Sequence, residues 1–217
     1  MTTKVLLLGA TGLVGSQLLA MLESDPRITH IYAPTRKPLL SASDKVINPV
    51  GSDVQILLDT LTEPVDAAFC CLGTTQKEAG SREAFRFADV VLPVHGGKTA
   101  LRLGATRYLV VSAIAANAQS WVFYNKTKGT MEQSLIAQNW PYLALLRPSM
   151  LVGHRKKPRQ LELVSAPFFR LLPGKWKGIN SRDVAYVLWK LAFEPIAEAV
   201  TILESDQIRH KAAGNDS

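Results

Sequence analysis

The chain has 217 residues, of which 47% are hydrophobic and 20% charged, with a formal net charge of +7. This composition is ordinary for a globular protein, and the length suits one domain with a substantial core but is short for two. The two cysteines, Cys70 and Cys71, are adjacent, which excludes a disulfide framework because a disulfide needs well-separated Cα atoms.

The location of the protein is predicted from its cysteines and its first residues. Without disulfides the chain suits a reducing compartment. The apolar run at residues 5–8 is short and is followed by glycines, so it predicts neither a signal peptide nor a membrane span. We therefore expect a cytoplasmic protein. Its positive charges are mostly spread out, which indicates a solvated surface with some charge directed at phosphates.

Short apolar runs alternate with segments of helical periodicity along the chain. Strands are predicted over residues 4–8, 28–33, 45–50, 65–71, 107–111, 142–146 and 199–203. Helices are predicted over residues 13–23, 54–61, 82–103 (broken or kinked at Pro93), 123–138, 161–172 and 181–194 (N-capped by Ser181). The alternation predicts an α/β fold with a doubly wound, mostly parallel sheet of the Rossmann type. We expect one domain over residues 1–208, with residues 149–195 contributing a small substrate lobe, and a flexible tail over residues 209–217.

Three glycines lie between the first strand and the first helix. Gly9 permits a tight turn, Gly12 lets the backbone approach a pyrophosphate, and Gly15 lets helix and strand pack closely. The free N–H groups and the dipole of the following helix favour phosphate binding. The position directly after an N-terminal strand predicts a dinucleotide site, and the alternative is a plain strand-to-helix turn.

The end of the second strand indicates which dinucleotide binds. NAD enzymes place an acidic residue there for the ribose 2′-hydroxyl, whereas an arginine suits a 2′-phosphate. This chain has Thr35, Arg36 and Lys37 and no acid nearby. We therefore predict NADP and regard NAD as the less favoured cofactor. The alternative is that Arg36 and Lys37 are ordinary surface residues.

A candidate catalytic set follows the fifth strand. Ser112 directly follows that strand, and Tyr124 and Lys128 are four residues apart on the next helix, so they share a helix face. A lysine beside the phenol would lower the tyrosine pKa and favour proton exchange with a carbonyl or hydroxyl oxygen. Ser112 could hydrogen-bond the same oxygen. The alternative is an exposed helix start with a half-buried tyrosine.

These motifs together resemble the short-chain dehydrogenase/reductase superfamily in its extended or atypical branch, and within it the Tat-interacting-protein-like oxidoreductases. The resemblance covers residues 4–203 and rests on the glycine turn, Thr35-Arg36, residues 70–75, the Ser112, Tyr124 and Lys128 set, and Arg147-Pro148. It implies that Ser112, Tyr124 and Lys128 are catalytic and also contact the cofactor. The other cofactor-binding residues that we expect are Gly9, Thr11, Gly12, Leu13, Val14, Gly15, Arg36, Leu72, Gly73, Thr74, Arg147, Pro148, Ser149 and Met150.

The chain departs from the superfamily pattern in two ways. The superfamily often has an asparagine, which supports a proton relay, in the helix before the fifth strand, and this chain offers Asp89. The segment after the sixth strand is also short, which predicts a small, open or partner-completed pocket.

The motifs predict an NADP-dependent oxidoreductase or epimerase-like enzyme acting on a small carbonyl or hydroxyl compound. An alternative is an NADPH-binding redox sensor that acts through a protein partner with little catalysis. Semialdehyde dehydrogenases share the glycine turn and use a cysteine nucleophile, but Cys70 and Cys71 end an apolar strand, which favours core packing. A protein partner or a homodimer is left open.

The basic segment at residues 155–159 lacks interleaved aromatic residues, so we expect no nucleic-acid partner. Arg155 in this segment is the residue that we predict to contact substrate. His95 and His154 lack metal-ligand spacing with any acid or cysteine, so no metal is predicted. We also expect no membrane partner.

Overall fold

The computed structural model describes residues 3–41, 43–152 and 176–214. Its strands are β1 (Thr3–Leu8), β2 (Ile28–Tyr32), β3 (Val46–Ile47), β4 (Ala67–Cys70), β5 (Arg107–Val111), β6 (Tyr142–Arg147), β7 (Leu151–Val152), β8 (Ile179–Asn180) and β9 (Val200–Glu204). Its helices are α1 (Leu13–Ser24), α2 (Val54–Asp59), α3 (Gln76–Ala79), α4 (Arg82–Arg86), α5 (Leu92–Arg102), α6 (Phe123–Ile136), α7 (Ser181–Leu191) and α8 (Ser205–Ala212).

Seven parallel strands form the main sheet, in the order β3-β2-β1-β4-β5-β6-β9. The chain builds outward from β1 through β2 to β3, then returns to the other side of β1 with β4. The carboxyl ends of β1 and β4 therefore flank the point where the strand order reverses, which is where open α/β sheets bind ligands. This architecture confirms the predicted single-domain Rossmann fold.

The two faces of the sheet explain the continuous apolar runs. Val5 and Leu7 lie in the core cluster that α1 and α7 cover, whereas Leu6 and Leu8 lie in the cluster on the opposite face. All four side chains are fully buried. A central parallel strand is covered on both faces, so each of its positions is apolar.

The long helical pattern before β5 forms three consecutive pieces. Between α4 and α5 lies a π-helical turn over Phe87–Val91, and Pro93 stands at the start of α5. The helical path continues from Arg82 to Arg102, so the predicted break or kink at Pro93 takes the form of the π turn that precedes it. Proline cannot donate the backbone hydrogen bond that a regular helix needs there. The extra residue accommodated by the π turn changes which side chains face inward.

Several expectations differ from the structure near the C-terminal end. Helix α7 is capped by Asn180, whose side chain accepts a hydrogen bond from the Arg182 N–H, so the prediction of Ser181 as N-cap is wrong by one residue. Much of α7 is buried in the main core with α1, so this part of the expected substrate lobe belongs to the Rossmann layer.

Helix α8 was not predicted, and it extends into the segment expected to be a flexible tail. It buries Ile208 completely, and Arg209 donates a hydrogen bond to the Lys177 carbonyl at 2.9 Å. The burial of Ile208 and the hydrogen bond of Arg209 hold residues 209–212 in the helix, although their polar composition predicts a flexible tail. The short helix α3 and the two-stranded sheet of β7 and β8 were also missed. The predicted helix over residues 161–172 lies outside the described residues.

No helix within the described ranges combines the length and the apolar character needed to cross a membrane.

Candidate cofactor and catalytic site

The glycine turn between β1 and α1 has geometry that larger residues could not adopt. Gly9 has a φ of +82°, and a Cβ there would lie 2.7 Å from the Cys71 carbonyl carbon. A Cβ at Gly15 would lie 2.0 Å from the Gly9 carbonyl oxygen. Gly9 therefore permits the turn and Gly15 permits the close approach of α1 to it, as their spacing predicts.

The first turn of α1 presents backbone N–H groups at the carboxyl edge of the sheet. Gly12 is its N-cap and supplies no side chain to satisfy them. The side chains of Leu13 and Val14 are buried, whereas Thr11 is exposed. The first N–H groups of a helix have no acceptor within it, so this end is suited to bind an anion.

The loop after β2 carries Arg36 and is held by a residue that sequence reasoning missed. Asn48 donates to the Ala33 carbonyl at 2.6 Å and to Thr35 Oγ1 at 2.8 Å, and its own side-chain oxygen accepts from the Leu39 N–H at 2.9 Å. The Arg36 side chain is exposed on the loop that these bonds hold. Asn48 lies after the two-residue strand β3, where only a weak sequence signal marks it.

The segment after β4 passes over a buried ion pair. The Thr74 N–H donates to Asp89 Oδ2 at 3.1 Å, and Asp89 Oδ1 lies 2.6 Å from Lys128 Nζ. A Cβ on Gly73 would lie 4.0 Å from both charged atoms of that pair. Leu72 and Thr74 are half-buried beside the exposed Gly73. Gly73 and Thr74, which follow β4, and Lys128 on α6 thus lie together around Asp89.

Lys128 is almost completely buried. Burial alone would lower its pKa, but the Asp89 carboxylate and the nearby Tyr124 phenol favour the charged form, so the pKa of Lys128 lies above its ordinary value. Its ammonium group is directed at Asp89, which the residue spacing did not predict. Lys128, which the sequence places beside Tyr124, therefore has Asp89 as a second, buried partner.

Ser112 lies at the carboxyl end of β5 with its hydroxyl buried. Its Oγ has no hydrogen-bond partner among the described residues, and its side chain is only 4% exposed. Its N–H donates to the Leu146 carbonyl at 2.7 Å, which fixes the backbone. Buried hydroxyl groups normally have partners, so this one is suited to receive a ligand atom.

Tyr124 stands in the first turn of α6, with 41% of its surface exposed. Its ring packs on that of the fully buried Phe85, with 5.9 Å between centroids. Phe85 thereby links α4 to the start of α6 and supports the orientation of the phenol. Tyr124 and Lys128 lie on one helix face, as their four-residue separation predicts.

The loop between Ser112 and α6 is pressed against that helix. A Cβ on Gly129 would lie 2.1 Å from the Ala118 nitrogen, and Ala115 adopts a φ of +60°. The Asn117 N–H donates to the Asn125 carbonyl at 3.0 Å. These contacts fix the relative positions of the strand end and the helix start.

Arg147 was predicted to bind cofactor, but its guanidinium is occupied. It lies 2.6 Å from Glu132 and 3.1 Å from Glu204, so it joins α6, β6 and β9. The hydrogen bonds that Arg147 donates to Glu132 raise its pKa beyond the ordinary arginine value. The side chain of Arg147 therefore serves the packing of these elements.

Pro148, Ser149 and Met150, which are also predicted to bind the cofactor, follow directly after β6. The Pro148 carbonyl accepts a hydrogen bond from Ile114 N–H at 3.0 Å, and the buried Ser149 hydroxyl donates to the Lys177 carbonyl. The Met150 carbonyl accepts from Ile179 N–H at 3.0 Å. This segment is thus tied both to the loop after Ser112 and to β8.

Cys70 is a core residue, and Cys71 is partly buried against the core. Cys70 is fully buried, and burial raises the pKa of its thiol to about 11. Burial also raises the pKa of Cys71 well above its ordinary value. Neither thiol is poised to form the thiolate that a semialdehyde dehydrogenase would need.

Some predicted residues lie outside the described part of the chain or away from the site. Arg155, His154 and the rest of the basic segment fall within residues 153–175, outside the described residues. His95 pairs with Asp59 at 2.8 Å. Among the described residues, no cluster of three or more potential metal-binding side chains occurs.

Several solved structures have a fold similar to that of this chain. The oxidoreductase ylbE of Lactococcus lactis superposes with a TM-score of 0.66 at 17% identity, covering 97% of this chain and 95% of that one. Human epimerase family protein SDR39U1 with NADPH gives 0.65 at 15% identity over 93% and 74% of the two chains. WbmH of Bordetella bronchiseptica with NAD+ gives 0.70 at 14% identity over 98% and 79%. The chain shares the Rossmann fold of these structures.

Sequence relatives define the family. Protein FMP52 of Debaryomyces hansenii is 30% identical over 204 residues, covering 88% of each chain. The Candida albicans FMP52 is 32% identical over 192 residues, covering 83% of this chain and 84% of that one. The chain belongs to the FMP52 family. No protein-family model matches it, and the finer likeness to Tat-interacting-protein-like oxidoreductases stays a prediction.

The same relatives correct the predicted location. Both are named as mitochondrial proteins, so the expectation of a cytoplasmic protein is wrong by this comparison. The expectation rested on the lack of disulfides and of a secretory signal. Those features do not separate one reducing compartment from another.

Proposed function

We propose that this chain binds NADP across the carboxyl ends of β1 and β4 and reduces a small carbonyl compound or oxidises the corresponding alcohol. The observation that carries the proposal is the buried Ser112 hydroxyl. It has no partner among the described residues and lies at the end of β5, the strand next to β4 in the sheet. Solved structures of the same fold contain NAD or NADPH, which supports the choice of cofactor class.

The described residues fit a dinucleotide. The α1 N-terminus at Gly12 has no capping side chain, so its N–H groups would hold the pyrophosphate. The exposed guanidinium of Arg36 would bind a 2′-phosphate. The exposed Gly73 leaves room above Lys128, whose ammonium would donate to a ribose hydroxyl.

When bound, a nicotinamide supplies hydride-transfer chemistry. The residues of the chain orient the substrate and handle its proton. Tyr124 would donate its phenolic proton to the substrate oxygen during reduction and take it back during oxidation. Ser112 would donate a hydrogen bond to the same oxygen and so fix its position against the phenol.

A direct test is to titrate the protein with NADPH and NADH and then assay a panel of carbonyl compounds. Tyr124→Phe should abolish turnover and leave NADPH affinity within about twofold of wild type. Tyr186→Phe, a tyrosine on α7, is the matched control and should turn over normally. Retained turnover in Tyr124→Phe would remove this mechanism, and failure to bind either nucleotide would remove the function.

The alternative, an NADPH-dependent sensor acting through a protein partner, is favoured by one observation. Trp121 is fully exposed and Val122 is 57% exposed, immediately before the helix that carries Tyr124. Exposed aromatic residues of this kind often mark contact surfaces. Tight NADPH binding without turnover on the carbonyl panel would favour the sensor over the enzyme.

A further inference from the structure

Asp89 occupies an unusual position in the π-helical turn between α4 and α5. Its carboxylate is fully buried, whereas the apolar side chains of Phe87 and Val91 in the same turn are 41% and 43% exposed. The hydrophobic effect favours the opposite arrangement. π-Helical turns occur frequently at functional sites, where the additional residue redirects a side chain.

The buried carboxylate contacts two segments of the candidate site at once. One oxygen lies 2.6 Å from Lys128 Nζ on α6, and the other accepts the Thr74 N–H at 3.1 Å. Gly73 lies directly above the pair, since a Cβ there would be 4.0 Å from both charged atoms. Asp89 therefore joins the catalytic helix to the loop that follows β4.

Stability alone is a poor explanation for this arrangement. Removing two charges from water is costly, and buried ion pairs can often be replaced by apolar residues without loss of stability. Lys128 is 3% exposed and Asp89 is 0% exposed, so both pay that desolvation cost. The benefit is a lysine that remains charged and fixed in place within the interior.

We propose that Asp89 is a positioning residue that fixes the Lys128 ammonium and the Gly73–Thr74 backbone relative to each other, so that both meet the nicotinamide half of the bound cofactor correctly. The inference rests on the proposed function. Asp89 acts through Lys128 and the Thr74 N–H. It needs no contact with substrate, and it takes no proton during the reaction.

The test is a double-mutant cycle of Asp89→Asn and Lys128→Met, read by NADPH dissociation constant, turnover and melting temperature. Loss of this buried ion pair predicts an NADPH affinity about tenfold to a hundredfold weaker in Asp89→Asn. In the Lys128→Met background, Asp89→Asn should change that affinity by less than about twofold, because its partner is already absent. A merely structural Asp89 would lower the melting temperature in both backgrounds and leave the NADPH affinity of the folded protein unchanged.

Three outcomes would overturn the inference. They are wild-type NADPH affinity in Asp89→Asn, fully additive losses in the double variant, and a wild-type protein that binds no nicotinamide nucleotide. The last one is seen without any substitution, so it separates failure of the proposed function from failure of the role of Asp89. If Asp89→Asn alone does not fold, two charge-free pairs replace it, Lys128→Met with Asp89→Asn and Lys128→Met with Asp89→Leu. Only the leucine side chain cannot accept the Thr74 N–H, so NADPH affinity should be weaker in the leucine pair, and equal affinity in the two pairs would overturn the proposal.

Discussion

The side-chain amide of Asn48 lies 2.8 Å from Thr35 Oγ1 and holds the loop that carries Arg36. We expect Asn48→Ala to weaken NADPH affinity by about tenfold, because the loop would have to be ordered on binding. NADH affinity should change little, since Arg36 is proposed to meet only the 2′-phosphate. Nucleotide titration by fluorescence measures both constants.

Arg36→Ala is the companion variant, and it should bring NADPH affinity close to that for NADH. Lys98→Ala removes an exposed positive charge on α5 and serves as the matched control. Equal losses for the two nucleotides in Arg36→Ala would show that this residue does not select the cofactor.

Gly15→Ala should destabilise the fold. The new Cβ would lie 2.0 Å from the Gly9 carbonyl oxygen, so backbone must move, at a cost of about 1–3 kcal/mol or more. Gly12→Ala is the matched variant, with a closest contact of 3.2 Å, and should lower stability less while weakening NADPH binding. Denaturant unfolding and nucleotide titration separate the two effects. Equal stability losses would contradict this division of roles.

Arg147→Met should lower stability with little change in NADPH affinity. The substitution leaves the buried Glu132 carboxylate without its cation, which typically costs about 3 kcal/mol or more in free energy of unfolding. Adding Glu132→Gln should restore part of the loss because no unpaired charge remains. If Arg147→Met instead kept its stability and lost NADPH affinity, the original prediction of Arg147 as a cofactor-binding residue would be correct.

The Asp25 carboxylate should contribute stability that depends on pH. Hydrogen bonds from Arg27 are the main reason that its pKa falls from 3.8 to about 2. Because the folded pKa is below the unfolded one, the contribution is complete well above pH 4 and is lost as the pH falls through 2. At neutral pH it amounts to about 2 kcal/mol.

Denaturant unfolding of Asp25→Asn checks this expectation. The difference from wild type should be largest at neutral pH and should shrink as the pH approaches 3. Asp44→Asn, at an exposed aspartate, should show no comparable pH-dependent difference. A difference between Asp25→Asn and wild type that stays constant with pH would mean that the Asp25 charge contributes nothing.

The sequence by itself determined the fold class and the central elements. Strands such as β1 are covered on both faces, so their continuous apolar runs identify them without tertiary information. The glycine turn could also be identified from the sequence, because Gly9 and Gly15 stand where a Cβ would clash with neighbouring backbone atoms. The Ser112, Tyr124 and Lys128 set followed from strand-end position and helical spacing.

Only the tertiary structure decided where the polar side chains find their partners. Asn48 holds a loop 13 residues away, and Arg147 reaches Glu204 over 57 residues, so neither contact follows from local spacing. Asp89 was recognised from its position, but its pairing with Lys128 depends on a π turn that apolar periodicity does not specify. Apolar patterns report burial along the chain, whereas the choice of a hydrogen-bond partner depends on which distant segments meet.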